Sequence, residues 1–190
     1  MESLLTLNAA DARNRLRELV NQKAVIRGDF ILASGAKSNY YIDGKFISLT
    51  SEGLAYFARV VLDMMKGDDL DIVGGMTLGA DPIIGAVVAM SHIVGNPVDG
   101  IIVRKEAKDH GRGKQIEGPV ADGAKVLIIE DVVTTGGSSI RAIEAVEKAG
   151  GKVERVICLV DRLAGGRENF ESKGYRFDPI FTIEDLDIPK

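Results

Sequence analysis

Cysteine is nearly absent from this chain. Cys158 stands alone among 190 residues, so no internal disulfide can form. Its place in the apolar run VERVICLVDR marks it as a buried structural thiol and not a nucleophile. Histidine occurs only at His92 and His110, and no His/Cys cluster suggests zinc. His92 reads as a helix-end residue without a role. Long apolar runs are missing too: the stretch between Asp81 and Asp99 is the longest without a charge, and Gly, Pro, Ser, His and Asn interrupt it, which makes a poor membrane span. MESLLTLNAADARNRL has an acid at Glu2 and too short an apolar core for a signal peptide, so a cytoplasmic location is expected. Nor is there an excess of basic charge. The net charge of -4 argues against general affinity for nucleic acid or an anionic membrane. What is present is ordinary globular composition, 45% hydrophobic and 27% charged, which excludes disorder and fits one domain with a substantial core.

Residues 9–26 carry a helical period, with Asn8 as the cap and Ala12, Leu16, Leu19 and Val20 on one face. The period changes over 28–45, GDFILASGAKSNYYIDGK, where short apolar groups around SGAKSN predict a β-hairpin. From Thr50 a helix is expected with Leu54, Phe57, Ala58, Val61, Leu62 and Met65 inward and Gly67 at its end. Strands and helices then alternate. Strands are expected at 71–75, 98–105, 124–131, 153–161 and 179–183. Helices are expected at 82–94, with Pro82 in its first turn, and at 138–149, with Ile140, Ile143 and Val146 inward. Continuous apolar strands alternating with helices imply an α/β domain whose parallel sheet is covered on both faces. No repeat, low-complexity tract or interdomain linker interrupts residues 1–190. KEAKDHGRGKQIEG (105–118) has almost no apolar residues and is long for a connection, the mark of a functional or disordered loop.

VLIIEDVVTTGGSSI (126–140) asks for a chemical explanation. In a parallel sheet, ligands bind beyond the carboxyl ends of the strands, and Glu130-Asp131 lies at such an end. Thr134-Thr135-Gly136-Gly137-Ser138 then leads into a helix, where free N–H groups and the helix dipole favour an anion and glycines let the backbone approach it. Thr135, Ser138 and Ser139 offer hydroxyl donors. The carboxylates repel phosphate but accept hydrogen bonds from hydroxyl groups. Together these features suit a vicinal diol next to a phosphate, as in a ribose 5-phosphate. A solvated turn followed by an N-cap is the plainer alternative, and a lone Thr-Gly-Gly would support no more. The adjacent acids at a strand end favour the phosphate site. GxxxxGK[ST] is absent, which disfavours a P-loop NTPase.

VLIIEDVVTTGGSS resembles the 5-phosphoribosyl pyrophosphate (PRPP) signature of type I phosphoribosyltransferases. VRKEAKDHGRGKQIEG (103–118) resembles the catalytic loop of the orotate phosphoribosyltransferase family. FILASGAKSNYYID (30–43) resembles that family's N-terminal hood, VGGMTLGADPI (73–83) its first pyrophosphate-side loop, and VDR (160–162) completes the order. The resemblance implies a type I phosphoribosyltransferase fold: a central parallel sheet flanked by helices, with a core of about 50–165. A hood would comprise about 1–45 and the C-terminal segment. It implies transfer of the phosphoribosyl group of PRPP to N1 of orotate, giving orotidine 5-phosphate and pyrophosphate on the route to UMP. Mg²⁺ would arrive largely with PRPP and not in a protein cage. A homodimer would share the 105–118 loop across subunits.

On its own residues, that loop carries Arg104, Lys105, Lys108, Arg112 and Lys114 against Glu106 and Asp109. A solvated charged loop is the usual outcome of such a run. Basic donors beside a phosphate cradle would, however, stabilise the charge that grows on a pyrophosphate leaving group. By resemblance, Arg104, Lys105, Lys108 and His110 contact pyrophosphate, with Lys108, Asp109 and His110 the catalytic set. Glu130 and Asp131 hold the ribose hydroxyls, and Val132, Val133, Thr134, Thr135, Gly136, Gly137 and Ser138 complete the PRPP loop. Thr134, Arg162 and Tyr41 match orotate-binding positions, a guanidinium suiting the orotate carboxylate and an aromatic ring its base. Ala33 and Gly79 stand where many relatives have lysine, and Lys37 and Lys45 are the candidates to supply that charge. A purine or xanthine phosphoribosyltransferase would share the PRPP loop without RKEAKDHG and the matching hood. A PRPP-sensing regulator would add a nucleic-acid-binding element.

Overall fold

The computed structural model describes residues 4, 6–31, 37–106 and 115–188. Asn8 caps α1 (Ala9–Leu19), its side chain accepting the Asp11 N–H at 2.9 Å. Ala12, Leu16, Leu19 and Val20 are buried, as their spacing demands. Regular helix does not reach residue 26. It gives way to a π-helical turn, Val20–Ala24, and then to β1 (Val25–Ile31), because the β-branched pair Val25-Ile26 favours extended backbone and Val25 pairs with Ile42. β2 (Lys37–Ile42) runs antiparallel to β1 in a two-stranded sheet of its own. The short α2 (Lys45–Ser48), not expected from the sequence, leads into α3 (Ser51–Met64). α3 buries Phe57, Ala58, Val61 and Leu62, and the three larger side chains so removed from water contribute roughly 1.5–3 kcal/mol each.

The remaining chain follows as β3 (Ile72–Met76), α4 (Asp81–Ile93), β4 (Asp99–Val103), β5 (Ile116–Glu117), β6 (Lys125–Val133), α5 (Gly137–Lys148), β7 (Lys152–Asp161), α6 (Gly166–Glu171) and β8 (Arg176–Thr182). These strands form one sheet in the order β5-β4-β3-β6-β7-β8. All neighbours are parallel except the two-residue edge strand β5, which pairs antiparallel with β4. That edge strand lies inside the polar stretch expected to be loop throughout. Ile116 is its one apolar residue, and it packs on the core.

Alternation along the strands supplies two cores. Val73, Leu127, Ile129, Ile157 and Leu159 meet α1, α3 and α4 on one face. Ile72, Val126, Ile128, Val156 and Cys158 meet α5 and α6 on the other. Cys158 is fully buried, and burial pushes its thiol pKa well up, so it is inert, as expected. The chain leaves β3 toward β4 and returns to β6 on the opposite side of β3. The sheet order therefore reverses between β3 and β6, and the loops leaving these two strands diverge at their carboxyl ends, where a ligand crevice belongs.

Candidate active site

A cleft of about 1210 Å³ opens at that reversal. β6 does not end at Glu130-Asp131 but runs on to Val133, so the two acids occupy consecutive strand positions and point to opposite faces. Glu130 faces α5 and is 7% exposed, and Ser139 Oγ donates to its Oε2 at 3.1 Å. Asp131 faces the hairpin side, where Gly44 packs against its carboxyl group. Its Oδ1 accepts the Val132 N–H at 2.8 Å. Both acids line the cleft. Burial, and then the neighbouring charge of Asp131, push the Glu130 pKa up to about 8, while the Ser139 hydroxyl opposes the shift. Glu130 therefore holds its proton to a higher pH than an ordinary carboxyl group.

The loop after β6 forms a second hollow of about 280 Å³, lined by Glu130, Val132 to Ser139, and Arg141. Gly136 holds a left-handed conformation, φ 77°, immediately before α5, and a Cβ there would lie 2.7 Å from Phe170 Cζ. Only glycine meets both demands. No side chain caps α5, so its first N–H groups remain available to an anion. α6 supports the loop from behind. Phe170 is fully buried beneath Gly136, and Asn169 Nδ2 donates to the Thr135 carbonyl at 2.8 Å. Thr134 and Thr135 are exposed and Ser138 lines both hollows. Ser139, a candidate phosphate donor in the sequence, is instead engaged with Glu130.

The loop after β3 forms the opposite wall. Thr77 Oγ1 donates to Asp81 Oδ2 at 2.7 Å, and Gly79 approaches Asp131 so closely that a Cβ would stand 3.1 Å from its Oδ1. A side chain at that position would require the Asp131 carboxyl group to give way by a few tenths of an ångström. Arg104 and Lys105 line the cleft with Lys45. Arg104 Nε pairs with Glu117 at 3.0 Å, its N–H donates to the Gln115 carbonyl at 2.8 Å, and Gln115 Nε2 returns a bond to the Arg104 carbonyl at 3.0 Å. The two ends of the polar stretch are thereby tied together. Lys108, Asp109, His110, Arg112, Lys114 and Ala33 lie outside the described residues. Of the two candidate replacement cations, Lys45 reaches the cleft, its Nζ 2.6 Å from Asp43 Oδ1. Lys37 borders a separate hollow with Asp29 and Phe30.

Arg162 follows β7, and its guanidinium lies over the ring of Tyr40, Cζ to centroid 5.6 Å. Tyr41, on the other face of β2, packs against Phe30 with centroids 5.8 Å apart. The hairpin thus brings Tyr40, and not Tyr41, to Arg162. Period-two alternation separates the two rings, but no local signal says which face meets Arg162. Asp161 Oδ1 accepts the Leu163 N–H at 2.9 Å, closing a turn in which Leu163 has φ 53°. Asp161 is fully buried, and burial raises its pKa. Asn169, Phe170 and Arg141 were missed in the sequence. Asn169 and Phe170 belong to a six-residue helix without a period, and Arg141 reads as helix surface.

These features, with a match over residues 82–176 to the family model described as the phosphoribosyl transferase domain, define a phosphoribosyltransferase of type I fold. The chain is 46% identical to the orotate phosphoribosyltransferase of Synechocystis sp., over 98% of this chain and 94% of that relative. A solved structure of Mycobacterium tuberculosis orotate phosphoribosyltransferase, in complex with Fe(III) dicitrate, is similar with a TM-score of 0.83 at 38% identity, covering 93% of this chain and 99% of that one. Another of the same enzyme, in complex with PRPP, gives 0.77 at 36%, covering 92% and 98%. The chain belongs to the orotate phosphoribosyltransferase family.

Proposed function

We propose that the cleft is where the chain transfers the phosphoribosyl group of PRPP to N1 of orotate, releasing pyrophosphate and forming orotidine 5-phosphate. The observation that carries this reading is the pairing of a hydroxyl-accepting carboxylate couple with an uncapped glycine-led helix start, both at the sheet's reversal. Family membership supplies the acceptor. The 5-phosphate occupies the hollow over Thr134 to Ser138, and Asp131 with Glu130 accept the ribose hydroxyls. The diphosphate lies toward Thr77 to Gly79, Arg104 and Lys105, where cations stabilise charge as the C1–O bond breaks. Lys45 supplies charge on that side. Lys108, Asp109 and His110 complete the catalytic set. Thr134 and Arg162 hold orotate, with Tyr40 beside the guanidinium and Tyr41 at the hood.

Hard carboxylate oxygens at Glu130 and Asp131 suit Mg²⁺. The ion would be borne by PRPP and met by these two acids. Bound there, Mg²⁺ would supply neutralising charge to the diphosphate. We further read the chain as a cytoplasmic homodimer whose 105–118 segment serves the partner's site. Leu78, which lines the cleft, and Leu49 and Phe46 are 78%, 68% and 49% exposed, apolar side chains that a second copy would cover. No described helix is long and apolar enough to cross a membrane. Sedimentation at the mass of one chain would sink the dimer.

The test of the activity is loss of orotate absorbance on adding PRPP and Mg²⁺, beside a Lys108→Ala control. Turnover that the substitution nearly abolishes is expected. PRPP binding without turnover would overturn the acceptor assignment.

A further inference from the structure

We propose that Arg141 is a substrate-binding residue that closes over the 5-phosphate of PRPP and of orotidine 5-phosphate. The inference rests on the phosphoribosyl reading of the hollow over Thr134 to Ser138 and adds to it a charge that the signature loop itself lacks. Residues 132–139 contain no lysine or arginine, yet the group they are to hold is a dianion, and Glu130 lines the same hollow. Arg141 is the one cationic side chain among its lining residues.

Its placement follows from helix geometry. Side chains of a helix lean toward its N-terminus, so residue 141 covers the turn that begins at residue 137. The structure shows this lean: Arg141 Nη1 lies 3.8 Å from the point where a Cβ on Gly137 would stand. The absence of a side chain at Gly137 leaves that space open to a ligand. Arg141 also makes no ion pair with a carboxylate among the described residues, whereas Arg104, Arg155 and Arg167 each do. A planar guanidinium above a row of backbone N–H groups matches a phosphate from the side that the backbone does not reach.

The 5-phosphate is common to PRPP and orotidine 5-phosphate and absent from orotate and pyrophosphate, which gives the inference a signature. Arg141→Leu should raise KM for PRPP in the forward reaction and for orotidine 5-phosphate in the reverse, each roughly tenfold. KM for orotate and for pyrophosphate should stay unchanged. Arg141→Lys should recover part of the loss. Arg141 is exposed on α5, so both variants should fold with an unaltered Tm. Unchanged KM for PRPP and orotidine 5-phosphate in an active enzyme would overturn the assignment. So would an equal rise in all four constants, which would mark a structural effect. If the wild type shows no orotate turnover, the acceptor reading fails separately. Titration with ribose 5-phosphate then decides for Arg141: weaker binding to Arg141→Leu upholds it, and equal binding overturns it.

Discussion

At the amino end of the six-stranded sheet, Arg155 is 5% exposed and paired with two carboxylates. It donates to Asp178 and Asp68, each at 2.7 Å, and to the Met64 carbonyl at 2.7 Å, and Arg176 adds a second cation on Asp178. At the carboxyl end, Glu130 is similarly buried but has a second carboxylate, Asp131, as its neighbour in place of a cation. Buried polar atoms without a hydrogen-bond partner among the described residues include Asp81 Oδ1, Asp161 Oδ2 and Arg162 Nε, all at the carboxyl end, with Ser48 Oγ in α2. None belongs to the amino-end network. The same strands thus carry charges that hold the fold together at one end and charges left for a ligand to satisfy at the other. Unmet hydrogen-bonding capacity in a folded chain points to function more directly than charge does.

Substitutions at the two ends should separate activity from stability. Asp131→Asn, at the carboxyl end, should lower kcat/KM for PRPP roughly 100-fold while leaving Tm nearly unmoved. A large Tm loss with kinetics intact would reverse the roles of the two ends. Arg155→Met should do the opposite. It strands Asp68 and Asp178 and should cost about 3 kcal/mol, a Tm drop of roughly 6–12 °C in a chain of this length. KM for PRPP and orotate should hold, and a changed KM would show that the ends are coupled.

A smaller effect belongs to pH. Because Glu130 is raised from 4.5 to about 8 in the fold, the folded chain keeps a proton that the unfolded chain has lost across that range. Its contribution to stability is complete below about 4.5 and is lost as pH rises to about 8. Wild-type Tm should therefore fall across this window, and Glu130→Gln, which cannot titrate, should flatten the fall. Equal slopes in both proteins would remove Glu130 as the cause. Smallest of all, Lys125→Ala breaks an exposed pair with Asp69, and such pairs contribute little. Tm should not change, because the buried network of Arg155 does not depend on it.

Legibility in the sequence followed periodicity. α1, α3, α4, α5 and the five parallel strands have apolar repeats long enough to read, and TTGGSS, which leads from β6 into the first turn of α5, carries its own chemistry. β5 and α6 have two and six residues and no period, so only pairing with β4 or packing beneath Gly136 makes them visible. The continuation of β6 past Glu130-Asp131 was hidden because two adjacent acids resemble a strand end. In the fold, alternation sends them to opposite faces, and Ser139 and Gly44 receive them. Long-range partners decide such points. Asn169 on the Thr135 carbonyl and Tyr40 beneath Arg162 join residues far apart in the chain, and local spacing says nothing of them.

Backbone hydrogen exchange with and without PRPP and Mg²⁺ tests the central claim most directly, because it reports both ends of the sheet at once. Protection should appear at 134–139 and 77–81, with no change at 67–70 and 153–156. Protection confined to the amino end, or none over 134–139 at saturating PRPP, would contradict it.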